Sequence, residues 1–406
     1  MGNCDNKEFV DDNTYTRQFG VEDSSTKKDP NEEFEKLMNQ PFDCKKEVEI
    51  EDPLYTLIKR VIQQETKEPK DSNSTKYKDN KKELFSTKLN EYKNGYRIKK
   101  NLKCAHNVIY TMNVIERKAD GKMFIAKSIT RDAIRNLGED QFKILFENEI
   151  KILEKIKRSF KEKQKNNIGI NNNNNDNLQL SNFEQIEKIF LLTMKGNFKL
   201  IIITNLTSQI TLLDIINEHI QQHKKFTKKE IGHIANKLLL ILSELKSLNI
   251  LFRNISPDNI AFTNPKDLNT LVIRNFNFAK DLGKSQTTSG ICGGLWYMAP
   301  EMLRDLKYDY KLDVWGVGMI LYEMITLENP FSECESRDMM LNLLKKRKAF
   351  KKKDQINKFE EEVNADFVFK MLEEKTNARV SCELLLEDNF IKDYQKEINE
   401  QKQKKN

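Results

Sequence analysis

Hydrophobic and polar positions divide this chain into a polar beginning and a patterned remainder. Residues 5–50 carry charge of both signs with little periodicity, the pattern of a flexible extension. One segment of the extension differs. Glu51, Asp52 and Pro53 precede Leu54, Leu57, Ile58, Val61 and Ile62 at helical spacing, which predicts an amphipathic helix near 53–65. A helix of that kind either docks on the neighbouring domain or receives a partner, and docking is the simpler reading. Residues 66–90 return to polar, lysine-rich sequence.

Regular patterning begins near Tyr96. Asp120-Gly121 is a hairpin turn ahead of the apolar run Phe124-Ile125-Ala126. Phe142, Leu145, Phe146, Ile150, Leu153 and Ile156 share one broad face, predicting a helix over 142–158. Residues 160–184 are lysine-rich and then asparagine-rich, with Asn171–Asn175 unbroken; nothing there builds a core, so the expectation is a disordered insertion. Leu191–Met194 and Leu200–Ile203 read as buried strands. Ile210–Ile220 and Lys228–Leu248 read as helices, and 396–406 as a polar tail.

Composition narrows the class. The 406 residues are 38% apolar and 32% charged with a net charge of +7, which fits a globular chain with polar appendages and gives no reason to expect a nucleic-acid partner. No apolar run reaches the roughly 18 residues of a membrane-spanning helix, and the N-terminus lacks a secretory pattern. The six cysteines form no Cys-x-x-Cys pair and the four histidines complete no ligand pattern, so the expectation is reduced thiols in a cytoplasmic protein without a metal centre. Met1-Gly2-Asn3-Cys4 offers Gly2 for myristoylation and Cys4 for palmitoylation, although Asn6 stands where the motif wants Ser or Thr. Lys345–Lys353 is the one dense basic run. It reads first as a solvated loop, with an anionic membrane surface or a localisation signal as the alternatives.

Two motifs then organise the rest. Phe252-Arg253-Asn254-Ile255-Ser256-Pro257-Asp258-Asn259 is followed, 21 residues after Asn254, by Asn275-Phe276-Asn277. Together they resemble the catalytic loop and metal-binding turn of the protein kinase superfamily. Further resemblance lies in Ala299-Pro300-Glu301, in Asp313-Val314-Trp315-Gly316-Val317-Gly318 and in Arg379, in family order. It implies an α+β, bilobal fold: a small antiparallel-sheet lobe with one helix, and a large, mainly helical lobe. The boundaries are an extension over 1–92, the small lobe over 93–205, the large lobe over 206–395 and the tail.

The resemblance also assigns roles. Asn254 stands where the family has the aspartate that accepts the substrate proton, and Asn275 where it has the aspartate that holds Mg²⁺. Ser256 replaces a phosphate-contacting lysine, Phe252 a histidine, and Gly294 a threonine. No glycine lies between Gly95 and Gly121, so the phosphate-covering loop at Asn101–Ile109 lacks its glycines. Kept are Lys127 and Glu149, the pair that orients nucleotide phosphates, together with Asn259. Arg253, Asp313 and the pair Glu301 and Arg379 are kept as architecture. The Lys127–Glu149 pair is taken as exposed, contributing about 0–1 kcal/mol. Ser285, Thr287, Thr288 and Ser289 fall in the middle of the activation segment, Asn275–Glu301. The implied function is a pseudokinase: a scaffold or allosteric partner of other proteins, membrane-associated if acylated, with Mg²⁺ disfavoured. The alternative is a weak or unconventional ATP-dependent serine/threonine kinase.

Overall fold

The computed structural model describes residues 56, 58–60, 85–102, 111–165, 178–194, 197–205, 207–208, 210–346, 350 and 365–403. These residues fall into two compact units. The smaller takes in the described residues up to Glu154 together with Gln185–Thr207, and the larger takes in Lys155–Glu184 and the chain from Ser208 onward.

The smaller unit is built on six strands: β1 (Phe85–Ser86), β2 (Tyr96–Leu102), β3 (Thr111–Arg117), β4 (Met123–Thr130), β5 (Ile186–Met194) and β6 (Asn197–Asn205), in the spatial order β1-β5-β6-β4-β3-β2. All neighbours are antiparallel except the two-residue edge strand β1, which runs parallel to β5. Strand β4 lies inside the sheet, and its residues from Phe124 to Ile129 are all buried. Gly121 takes a left-handed φ of 70° at the β3–β4 turn, a conformation glycine adopts without steric cost. Helix α1 (Leu89–Gly95) lays Tyr92 into the aromatic core, 5.2 Å from the Phe190 ring. Helix α2 (Arg131–Leu137) starts where the Thr130 hydroxyl accepts from the Ala133 amide and stops at Gly138.

Three differences from the sequence boundaries stand out here. The stretch assigned to a flexible extension over 1–92 contains β1 and most of α1, so the folded sheet begins at Phe85. Of the helix expected near 53–65, positions 56 and 58–60 are helical and Ile58 is buried; its remainder lies outside the described residues. Helix α3 (Glu139–Lys165) overruns its expected end and takes in the lysine-rich start of the insertion, and described structure resumes at Asn177's neighbour Leu178. Phe160 explains the overrun: it continues the apolar face and packs 5.6 Å from Phe183. Asn171–Asn175 lie outside the described residues.

The larger unit is mainly helical. Helices α4 (Leu212–Gln221) and α5 (Lys228–Ser247) each open with a capping box, Thr211 with Asp214 and Thr227 with Glu230. Short strands β7 (Ile250–Leu251), β8 (Ile260–Phe262), β9 (Leu271–Ile273) and β10 (Lys280–Asp281) pair as β10–β7 and β8–β9. The remaining α-helices among the described residues are α6 (Pro300–Leu303), α7 (Lys311–Thr326), α8 (Arg337–Lys345), α9 (Ala365–Met371), α10 (Cys382–Leu386) and α11 (Asn389–Gln403). Helix α7 is buried almost all round, as its largely apolar sequence requires. Helix α11 extends through most of the expected polar tail. Its Tyr394 ring lies where a Cβ on Gly232 would come within 2.9 Å, and its hydroxyl bonds the His233 ring at 2.6 Å. Among the described residues no helix is long and apolar enough to cross a membrane.

Candidate functional site

The larger unit hangs a loop from helix α7. Asp313, in the first turn of that helix, accepts from the backbone amides of Phe252 (2.7 Å) and Arg253 (2.8 Å). Burial pushes its carboxyl up to about 6, and the two amides and the Arg253 guanidinium oppose that rise. Three residues along the helix, a Cβ on Gly316 would sit 2.7 Å from the Ile255 Cβ, so the loop rests directly on helix backbone. Beneath it, Phe252 meets Phe276 edge-on at 4.9 Å. Residue 252 therefore fills this position by packing, with no titratable ring.

Four of the motif residues meet within this unit. The Asn259 amide nitrogen donates to the Asn254 carbonyl and to the Ser256 hydroxyl, each at 3.0 Å. Those two acceptors fix the orientation of the Asn259 amide and turn its oxygen toward Asn275, whose Nδ2 donates to it at 2.7 Å. Asn275 is itself held: its backbone amide donates to the buried Glu184 carboxylate at 2.9 Å, and its φ of 65° is left-handed, which asparagine tolerates better than most residues. The Asn254 side-chain oxygen accepts from the Gly294 amide at 3.3 Å. A Cβ on Gly293 would lie 2.8 Å from the Arg253 carbonyl, and with its φ of 89° that position tolerates little but glycine.

The flanking cations have different surroundings. Arg253 donates from Nε to the Phe278 carbonyl at 2.8 Å and from its terminal nitrogen toward the Tyr308 hydroxyl at 3.4 Å. Lys280 donates to the Thr288 hydroxyl at 2.8 Å, and burial, followed by the nearby Arg253 charge, holds its ammonium below the ordinary lysine range. Ser285, Thr287 and Ser289 are exposed while Thr288 is half-buried. Glu301 and Arg379 form a two-pronged pair at 2.6 and 2.9 Å, and the Arg379 side chain is 0% exposed.

The smaller unit carries its own polar pair. Lys127 on β4 reaches Glu149 on α3 at 3.2 Å. The sequence reading took this pair as exposed, and the structure corrects it: Lys127 is 4% and Glu149 2% exposed, because the strand interior and the apolar face of α3 enclose both. The loop at 103–110, Gly2 and Cys4 lie outside the described residues.

Sequence reasoning missed Glu184, which the insertion reading swallowed, and the bond from the Tyr297 hydroxyl to buried Glu323 at 2.6 Å. No local pattern could have found either, since each depends on residues far apart in the chain.

The donor set does not suit a hard divalent cation. Mg²⁺ favours carboxylate and phosphate oxygens, whereas the metal position of the resemblance, Asn275, is a neutral amide that presents N–H toward Asn259.

A loop suspended from an Asp-bearing helix, a turn, a helix opening on Ala-Pro-Glu and, in the smaller unit, a lysine–glutamate pair joining strand to helix define a two-lobed α+β fold. The chain belongs to the protein kinase family: the protein kinase domain matches residues 111–391, more than half its length. A stretch of 130 residues is 29% identical to the serine/threonine-protein kinase ATG1c of Arabidopsis thaliana, covering 32% of this chain and 18% of that protein. Serine/threonine-protein kinase atg1 of Dictyostelium discoideum is 31% identical over 131 residues, 32% of this chain and 20% of that protein. The RAC family serine/threonine-protein kinase homolog of the same organism is 28% identical over 146 residues, 34% of this chain and 32% of that protein. The matched part thus spans from under a fifth to about a third of these relatives.

Proposed function

We propose that this chain is a pseudokinase, a protein-kinase fold that organises other proteins instead of transferring phosphate. One observation carries the reading: the Asn275 amide, at the position where the family resemblance puts the metal-holding aspartate, closes on Asn259 at 2.7 Å. Asn254 compounds it, because a neutral amide cannot take the hydroxyl proton, and general-base catalysis is typically worth about 10²–10⁴ in rate. Ser256 adds no charge toward phosphate. Catalysis of this type rests on positioning and electrostatics, and both are weakened together.

A second reading has one observation in its favour. The buried Lys127–Glu149 pair is the arrangement that would present a lysine to ATP phosphates, so a weak or unconventional serine/threonine kinase is the alternative. Radiolabelled phosphate transfer by the full chain, with Mg²⁺ and separately with Mn²⁺, separates the two. The expected result is no transfer in either metal; robust turnover that disappears in Lys127→Met would establish the alternative.

The protein partner is unidentified, and its site of action is proposed as the cytoplasmic face of a membrane. Gly2 with Cys4 supports that placement, since one myristoyl chain anchors marginally and a second acyl group makes the anchor stable. Cell fractionation should move Gly2→Ala and Cys4→Ser variants from the membrane to the soluble fraction; an unchanged distribution of both would refute acylation.

A further inference from the structure

We infer that Asn275 replaces a metal ion structurally, so that this catalytic loop keeps its shape without divalent cations, and that the same position is one atom away from a cation-dependent site. The geometry comes from three fixed points. The Asn259 amide spends both N–H groups on the Asn254 carbonyl and the Ser256 hydroxyl, so it cannot turn over without losing both. Its oxygen is therefore committed to face Asn275 and needs a positive or hydrogen-bearing partner. Asn275 cannot withdraw, because its backbone amide is held by the Glu184 carboxylate and its backbone is left-handed. The Nδ2–H group at 2.7 Å is that partner, and it joins the metal-binding turn to the catalytic loop as an ion between two oxygens would.

The substitution Asn275→Asp exchanges that NH₂ group for an oxygen at nearly unchanged volume and adds a negative charge. Two oxygens would then face each other at a distance set for a hydrogen bond, with the Glu184 carboxylate adding negative charge close by. A hard divalent cation relieves the contact by binding both oxygens, so the class of ligand is Mg²⁺, Mn²⁺ or Ca²⁺. The inference rests on the pseudokinase reading of this site, but its test reads the loop and not turnover. A wild type that transfers phosphate yet melts independently of Mg²⁺ would sink that reading and leave this one standing.

The experiment is thermal melting of the full chain in EDTA, in MgCl₂ and in KCl of matched ionic strength. Wild type should melt within about 1 °C in all three. Asn275→Ala should melt roughly 2–6 °C lower in all three, since a buried acceptor loses its donor. Asn275→Asp should melt lower in EDTA and KCl and recover in MgCl₂ or MnCl₂. Asn275→Asp as stable as wild type in EDTA, or equally destabilised with and without Mg²⁺, would overturn the inference. If that variant does not fold in any buffer, wild type titrated with Mn²⁺ and followed by electron paramagnetic resonance decides the matter. No bound Mn²⁺ supports the inference, and a bound Mn²⁺ lost in Asn259→Ala refutes it.

Discussion

Replacing Arg379 by methionine tests the energetics of the larger unit. The side chain is 0% exposed and donates to both Glu301 oxygens, to the Lys311 carbonyl at 2.9 Å and to the Glu373 carbonyl at 3.0 Å. Its guanidinium also lies 5.1 Å from the Trp315 ring. Methionine retains much of the volume and none of the donors. Glu301, 4% exposed, becomes a buried carboxylate without its counter-charge, and two carbonyls lose a donor. Breaking one side of a buried pair costs about 3–5 kcal/mol, with the carbonyls placing this case toward the upper end. Removing both partners is a different matter, because Arg379→Met with Glu301→Leu leaves no stranded charge and should recover most of the loss. Urea unfolding followed by tryptophan fluorescence is the assay, and it reports locally because Trp315, one of two tryptophans, lies under the arginine. A single-variant loss below about 1 kcal/mol, or a double variant as damaged as the sum of its parts, would refute this account of the pair.

Two further outcomes follow from buried charge. Lys127→Met should destabilise the smaller unit by about 3–5 kcal/mol, since Glu149 is too buried to be hydrated in place; unchanged urea stability would contradict that. Asp313 should make stability depend on pH. Its folded carboxyl titrates at about 6, above the ordinary 3.8, so the folded state holds a proton that the unfolded state has released between those values. The contribution is fully present below about pH 4 and lost as pH rises through 6, by at most about 3 kcal/mol. Urea melts at pH 4.5 and 6.5 should differ less in Asp313→Asn than in wild type, and an equal difference in both would exclude Asp313 as the source.

The fold was legible because its signals are local. Ala299-Pro300-Glu301 and the glycines of α7 are short strings with a packing reason behind each, and the apolar periods of 210–220 and 228–248 needed only counting. The misreadings share a cause. Tyr92 and Phe160 are single apolar residues in charged sequence, too sparse to form a period, yet both are buried in the folded chain. Phe350 is the clearest case. It interrupts the basic run read first as a solvated loop, and its ring lies 5.2–6.2 Å from Trp315, Tyr322, Phe331 and Phe369. At the site, the sequence named Asn254, Ser256, Asn259 and Asn275 but not their mutual hydrogen bonds. Those bonds depend on distances across the fold, as does the burial of Lys127.

The activation segment has a consequence for proteolysis. Lys280 and Asp281 pair with β7, and Thr288 pairs with Tyr308 through two backbone bonds of 3.0 and 2.8 Å. Between these anchors, Gly283, Lys284, Ser285, Gln286 and Thr287 are all exposed. Trypsin meets Lys284 at the tip of a loop whose two ends are separately tied down. A cut there severs one peptide bond without freeing either end, so the nicked protein would run as two fragments in denaturing gel and as one particle in solution. Cleavage at this point is therefore a poor measure of unfolding for this chain.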